Sequence, residues 1–216
     1  MLSSRFDNLP HRRAIIDRRS LSDRVAALDI ADQATLRRAV TAELKPLKLE
    51  RARFSTHIET GEGGPDGIDR IEFWVQTNPG TRPGPLMKVA SGGELARFLL
   101  ALKVVLADRG SAPTLVFDEI DTGAGGAVAD AIGLRLARLA EQVQVVAVTH
   151  APQVAARADR HYLITKDALA RGKRVATSVS ELAADRRREE IARMLAGAEI
   201  TEEARKAAER LIRAAG

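Results

Sequence analysis

The sequence contains no cysteine among its 216 residues, and only 3% of the residues are aromatic, with one Trp and one Tyr. The lack of cysteine excludes disulfide bonds and thiolate metal sites and fits a reducing compartment. The scarcity of aromatic side chains leaves few platforms for stacking nucleobases, as single-strand binders do. Any contact with DNA is therefore expected to go through phosphates.

Long apolar runs are also missing, although 45% of the residues are hydrophobic. No uninterrupted stretch approaches the roughly 18 residues that a membrane-spanning helix needs. The first residues, Met1 to Asp7, lack the apolar core and cleavage site of a signal peptide. We therefore expect a soluble, globular protein in the cytoplasm, with no membrane contact.

Basic residues outnumber acidic ones, 34 Lys and Arg against 29 Asp and Glu, which gives a net charge of +5 and a pI near 9.9. This surplus permits contact with nucleic acid without requiring it. The length is sufficient for one domain with a sizeable core, or for one domain and an appendage.

The spacing of apolar residues predicts two regions. Residues 1–50 form a helical segment, in which apolar positions between Ser22 and Leu44 suit either a coiled-coil stub or an ordinary surface helix. Residues 51–216 begin with alternating stretches, Arg53 to Thr60 and Asp69 to Thr77, that predict a β-hairpin around a glycine-rich loop.

Helices and strands alternate in the remainder of the chain. The expected helices are Leu95 to Leu106, Gly126 to Ala140, a short one from Pro152, Arg186 to Leu195 and Glu202 to Ala214. The expected strands are Thr114 to Phe117, Val143 to Val148, His161 to Thr165 and Arg174 to Val179. This order predicts an α/β fold with a mostly parallel sheet flanked by helices.

Three carboxylates, those of Asp118, Glu119 and Asp121, follow the apolar strand that ends at Phe117. Ligands of open α/β sheets bind at the carboxyl ends of the strands. One carboxylate could hold a divalent cation there while its neighbour manages a water molecule. The same acids could instead cap the next helix or face solvent.

The residues Ser91, Gly92, Gly93 and Glu94 stand directly before a long apolar helix. The serine and the glutamate have capping-box spacing, which a well-made helix start explains. That explanation leaves out the glycines, because each glycine costs a helix about 1 kcal/mol relative to alanine. Since helix N-termini bind anions, we expect a phosphate to approach the backbone closely here.

A histidine, His150, follows the strand predicted at Val143 to Val148. It could be an ordinary hydrogen-bonded residue. If the two strands share a sheet, its imidazole could instead reach the crevice that contains Asp118 and Glu119.

In this order, the three motifs resemble the C-terminal lobe of ABC and SMC-type ATPase heads, and within that superfamily the RecN family of bacterial DNA-repair ATPases. The matching residues are Lys88 to Leu95, Phe117 to Glu119, Gly125 and Gly126, Val148 to Ala155, and Glu190 to Leu195. The resemblance runs from about Arg53 to the end. It implies a nucleoid-associated protein that binds ATP and Mg²⁺ and acts on DNA double-strand breaks.

The resemblance implies that Ser91, Gly92 and Gly93, with Glu94 beside them, are a signature motif. In a head-to-head homodimer this motif contacts the γ-phosphate of the ATP that is bound by the other protomer. These residues would therefore bind nucleotide.

The same resemblance implies roles for the strand-end residues. Asp118 would be the Walker B acid that helps to hold Mg²⁺, and Glu119 would be the catalytic glutamate that activates the attacking water. Asp121 would lie in the D-loop that meets the partner protomer and would belong to the nucleotide-binding residues. His150 would be the switch histidine near the γ-phosphate.

A phosphate loop of the form Gly-x-x-x-x-Gly-Lys-Ser/Thr is absent from the sequence. The single Gly-Lys pair, Gly172-Lys173, is followed by Arg174. In the family this Walker A motif lies in an N-terminal lobe that precedes a coiled coil, of which residues 20–50 would be the truncated returning arm. The resemblance therefore implies half a head, which hydrolyses ATP only when a Walker A lobe completes it in cis or in trans.

Two alternatives stay open. The chain could be a non-catalytic module for dimerisation or DNA binding that lacks ATPase activity. It could also be a metal-dependent hydrolase that uses Asp118, Glu119, Asp121 and His150 as a self-contained site.

Overall fold

The computed structural model describes residues 33–64, 67–90, 92–107, 112–169, 174–197 and 199–215. The helices are α1 (residues 33–44), α2 (Leu86–Val89), α3 (Gly92–Val105), α4 (Gly126–Ala140), α5 (Pro152–Ala155), α6 (Ala184–Ala196) and α7 (Glu202–Ala215), and a 3₁₀ turn (Lys45–Leu47) follows α1. The strands are β1 (Arg53–Gly64), β2 (Gly67–Gln76), β3 (Gly84–Pro85), β4 (Thr114–Phe117), β5 (Gln144–Ala147), β6 (Tyr162–Leu169) and β7 (Arg174–Glu181).

The strand pairing confirms the α/β class. Strands β4 and β5, which precede and follow α4 in the chain, pair in parallel, with Phe117 opposite Ala147. Strands β1 and β2 form the predicted antiparallel hairpin, and β3 pairs with β2 to extend it. The prediction that the strand near His161 continues the parallel run is wrong, because β6 pairs antiparallel with β7. These two strands are near neighbours in sequence, so a hairpin closes with little loss of chain entropy.

The main core lies between the hairpin, α1, α3 and α4. Its fully buried side chains include Val40, Leu44, Leu47, Phe54, Val75, Phe98, Leu100, Ile120 and Ile132. Burial of one such side chain favours folding by about 1.5–3 kcal/mol. The end of α1 therefore shares its core with the α/β region and does not pack separately.

An ion pair fixes α1 to α4. Arg135 is buried on α4, and its Nη2 atom lies 2.9 Å from Oε2 of Glu43 in an ion contact that lacks hydrogen-bond alignment. Arg138 donates a hydrogen bond to the other carboxylate oxygen at 3.1 Å. The predicted coiled-coil arm, residues 20–50, falls partly on residues 1–32, which lie outside the described residues, and stays a prediction.

One face of the parallel pair is left uncovered by the residues that the structure describes. Phe117, Val145 and Ala147 face the main core, whereas the alternate side chains Val116 and Val146 are 69% and 45% exposed. The apolar runs of both strands predict burial on both faces, and the strands are buried on one face only. Parallel sheets are ordinarily covered on both faces, and the described part of the chain supplies a cover for one.

A second, smaller core joins α5, α6 and α7 through Ala155, Ala156, Ile191, Ala192, Ala204 and Ala208. Arg187 of α6 donates hydrogen bonds to the carbonyl oxygens of Ala156, at 2.9 Å, and Ala158. Carbonyls at the end of a helix otherwise lack partners, so this arginine anchors the C-terminal helices to the segment after β5. Among the described residues, no helix is long and apolar enough to cross a membrane.

Candidate functional site

The segment after β4 alternates between exposed and buried side chains. Asp118 and Glu119 are exposed, whereas Ile120 is fully buried and Asp121 is only 9% exposed. Glu119 has a positive φ of 52°, a conformation that costs a non-glycine residue about 1–3 kcal/mol and persists only where the surroundings enforce it. The buried neighbour Ile120 anchors the backbone, and the two outer carboxylates remain in solvent.

The carboxylate of Asp121 joins the ends of the two parallel strands. Its Oδ2 atom accepts hydrogen bonds from Oγ1 of Thr149 at 2.7 Å, the backbone N–H of His150 at 2.9 Å and the backbone N–H of Ala151 at 2.7 Å. The Ala151 N–H also reaches Oγ1 of Thr149 at 3.0 Å. Hydrogen bonds to an ionised carboxylate are roughly twice as strong as neutral ones, so this arrangement ties the loop after β4 to the loop after β5.

The two glycines at the start of α3 have different surroundings. A Cβ atom built on Gly93 would lie 3.0 Å from the carbonyl oxygen of Thr122, whereas one built on Gly92 would meet nothing within 4 Å. The predicted close approach at Gly93 is therefore made by the chain's own backbone. Open space at Gly92 leaves room for an external group. Ser91 lies outside the described residues, and Glu94 is partly buried in the first turn of α3.

His150 is exposed and stands between β5 and the short helix α5. Its imidazole is carried on a segment whose N–H groups at residues 150 and 151 are both bonded to Asp121. Helix α5 in turn packs tightly on α4, since a Cβ atom on Gly133 would lie 3.1 Å from the carbonyl oxygen of Gln153. The backbone on both sides of His150 is therefore fixed.

These contacts place the predicted motifs along one edge of the fold. The loop after β4 contacts the start of α3 through Thr122 and the loop after β5 through Asp121. Sequence reasoning did not identify Thr149 or Thr122 as members of this site. Thr149 carries a recognisable signal, because a threonine whose hydroxyl bonds the N–H two residues later forms an ST-turn; the role of Thr122 depends on a backbone atom that no side-chain pattern reveals.

No three His, Asp or Glu side chains come together as a metal-binding group within the residues that the structure describes. One oxygen of Asp121 is already occupied by three donors. Asp118 and Glu119 remain as exposed oxygen donors, the type of ligand that Mg²⁺ prefers alongside substrate phosphates.

Comparisons with known proteins give consistent results. The DNA repair protein RecN of Rickettsia conorii is 46% identical over 177 residues, which are 82% of this chain and 32% of that protein. The DNA repair protein RecN of Streptomyces coelicolor is 46% identical over 190 residues, 82% of this chain and 33% of that protein. The chain thus spans about a third of the length of the curated relatives that it matches. No protein-family model matches it.

Among solved structures, the Smc head domain with a coiled coil and joint derived from Pyrococcus yayanosii matches 80% of this chain and 31% of that chain. The TM-score is 0.57 and the sequence identity is 16%. At this identity the similarity establishes a shared fold.

Proposed function

The chain is a homologue of the RecN DNA repair proteins, and on that premise we propose that it forms the C-terminal half of an SMC-type ATPase head that acts in repair of DNA double-strand breaks. One observation carries the proposal. The loop after β4, which bears Asp118 and Glu119, contacts both the start of α3 at Gly93 and the segment around His150. Three motifs that are distant in sequence thus meet at one edge.

The strand-end residues would perform the chemistry. Asp118 would hold Mg²⁺, which neutralises charge on the phosphates when it is bound. Glu119 would orient and deprotonate the attacking water, and His150 would donate a hydrogen bond near the γ-phosphate. Exposure of both carboxylates at the end of β4 leaves them accessible to a nucleotide.

The start of α3 would contact nucleotide bound by a second protomer in a head-to-head dimer. Ser91 and Gly92 would offer backbone N–H groups to the γ-phosphate, because a glycine with open space around it lets a phosphate reach the backbone. Gly93 would hold α3 against the loop after β4, and Glu94 would support the first turn.

A Walker A lobe, in cis or in trans, would complete the head. The bare valine face of β4 and β5 supports this part of the proposal, since an apolar sheet face of this kind needs a cover. Without such a lobe the chain has no Walker A lysine or phosphate loop for ATP, and we expect it to be inactive alone. The net charge of +5 suits contact with DNA phosphates.

Reconstitution tests the ATPase. The chain mixed with a separate Walker A lobe should hydrolyse ATP in a Mg²⁺-dependent manner, and Glu119→Gln should lower kcat by at least about 100-fold, a typical contribution of a general base. Glu141→Gln, at an exposed position at the end of α4, is the matched control and should retain activity. A folded, associated pair without hydrolysis would refute the proposal.

A non-catalytic module for dimerisation or DNA binding is the second candidate. The exposed valine face favours it, because exposed apolar patches mark association surfaces. It predicts DNA binding that weakens steeply with salt and does not respond to ATP or Mg²⁺. Fluorescence anisotropy of labelled duplex DNA with the chain and a separate Walker A lobe, with and without Mg·ATP, separates the two candidates, because the isolated chain would ignore ATP under either one.

A further inference from the structure

Residues Ile120, Asp121 and Thr122 form a connection between two motif loops within one chain. The Thr122 carbonyl oxygen is the nearest atom to a Cβ built on Gly93, and the adjacent Asp121 holds three donors of the Thr149–Ala151 segment. Ile120 is fully buried beside them. If the start of α3 moved, it would therefore push against the backbone at Thr122, which is fixed to the segment that bears His150.

We propose that Asp121 is a positioning residue for His150. Its carboxylate fixes the backbone on which the imidazole is carried, and Thr149 completes the arrangement. The family resemblance suggested a contact of Asp121 with a partner protomer, whereas its low exposure and its three donors point to a task inside its own chain. The consequence for ATP hydrolysis rests on the proposed function; the arrangement itself does not.

A carboxylate suits this position better than an amide. Three donors converge on one oxygen, and a negative charge strengthens each of those hydrogen bonds. In an asparagine the acceptor would be neutral, and the amide NH₂ group would need a new acceptor in a nearly buried position. Asp121→Asn should therefore weaken the arrangement while keeping the shape of the side chain.

Amide hydrogen exchange, followed by NMR on this chain, tests the positioning directly. In Asp121→Asn the amides of His150 and Ala151 should exchange about tenfold faster, a change that corresponds to the loss of about 1.4 kcal/mol of local stability. Thr149→Ser retains the hydroxyl and should leave both rates within about twofold. Thr114→Val is the matched control, because Thr114 donates to Gln144 Oε1 across the opposite end of the same strand pair.

The amides of Ile132 and Leu136 in α4 report on the whole fold. The proposal requires a larger acceleration at residues 150 and 151 than at these core amides. Unchanged rates at His150 and Ala151, or rates that rise only in step with the core, would refute it. If Asp121→Ala fails to fold, the exchange rates of Asp121→Asn still decide the outcome.

Kinetics of the reconstituted head provide the functional test. Asp121→Asn should lower kcat about tenfold with the KM for ATP within about twofold, and it should cause no further loss in the presence of His150→Ala, because both changes act through one imidazole. Multiplicative losses would overturn the positioning role. If the wild-type pair hydrolyses no ATP, the proposed function fails, and the exchange rates alone then decide whether Asp121 positions the His150 segment.

Discussion

Replacing Gly93 with alanine should destabilise the chain, whereas the same change at Gly92 should not. Both residues open α3, so any effect of helix propensity is shared between them. They differ in their surroundings, since a Cβ atom on Gly93 would press on the carbonyl oxygen of Thr122 at 3.0 Å and one on Gly92 would enter open space. The pair therefore separates a packing requirement from a backbone preference.

The expected magnitude follows from two opposing contributions. Alanine favours a helix over glycine by up to about 1 kcal/mol, and forcing an extra carbon into a packed site costs about 1–3 kcal/mol. Thr122 has little freedom to move, because its N–H bonds to the Glu119 carbonyl at 3.1 Å and the preceding Asp121 is held by three donors. We therefore expect Gly93→Ala to lower the free energy of unfolding by about 1 kcal/mol and Gly92→Ala to raise it by about 0.5 kcal/mol.

Urea unfolding followed by far-UV circular dichroism measures this difference. A change of 1 kcal/mol corresponds to a shift of about 2–4 °C in Tm for a chain of this size, so thermal melts provide a second reading. In the reconstituted head, Gly92→Ala should impair ATP hydrolysis despite its greater stability. A Gly93→Ala variant that is as stable as Gly92→Ala, or more stable, would contradict a packing requirement at Gly93.

Other regions of the fold should respond to changes of pH, charge and surface polarity. Burial lowers the pKa of His161 from 6.5, so the unfolded chain takes up a proton at a higher pH than the folded chain does. The free energy of unfolding should therefore fall as the pH drops below about 6.5, and urea titrations at several pH values should show a smaller fall for His161→Gln; an equal fall would contradict this. Arg135→Ala should lower the free energy of unfolding by about 2–4 kcal/mol, because it removes the buried partner of the Glu43 carboxylate. Arg138→Ala, at an exposed position, should lower it by less than about 1 kcal/mol in the same assay. Equal losses would show that burial does not decide the strength of these ion pairs. Val146→Thr should change the free energy of unfolding by no more than about 0.5 kcal/mol, yet it should weaken association with a Walker A lobe, as measured by analytical ultracentrifugation. Val179→Thr, at an exposed position on β7, should leave that association unchanged. Equal affinities for both variants would rule out the valine face as the contact.

Local patterns in the sequence were sufficient for most of the elements. Strand β4 and helix α4 have the predicted bounds, because a β-branched run and a helical apolar period are each marked off by acidic or glycine residues. The partner of β6 was not predictable in the same way. The alternation of helices and strands favours a parallel sheet. It takes no account of the short connection between β6 and β7, which lets these two strands pair with each other.

The candidate site was predictable as a set of residues but not as a set of contacts. The order of the three motifs and their resemblance to ATPase heads indicated Asp118, Glu119 and His150 as candidates, because each of these residues taken alone also has ordinary structural uses. The packing of α3 and α5 sets the backbone positions in this region. Those positions decide which carbonyl oxygen lies close to Gly93 and which carboxylate binds the His150 segment. The exposure of Val116 could not be predicted either, since the sequence of a strand does not show which other residues cover its two faces.

The left-handed backbone at Glu119 has a consequence for protein engineering. Glycine adopts a positive φ freely and asparagine tolerates it, so a search for thermostable variants should enrich both residues at position 119. Neither offers a carboxylate, and under the proposed function each enriched variant would be a catalytically dead one. Selection for melting temperature alone would then remove the very group on which turnover depends, and a library for this chain should keep position 119 constant.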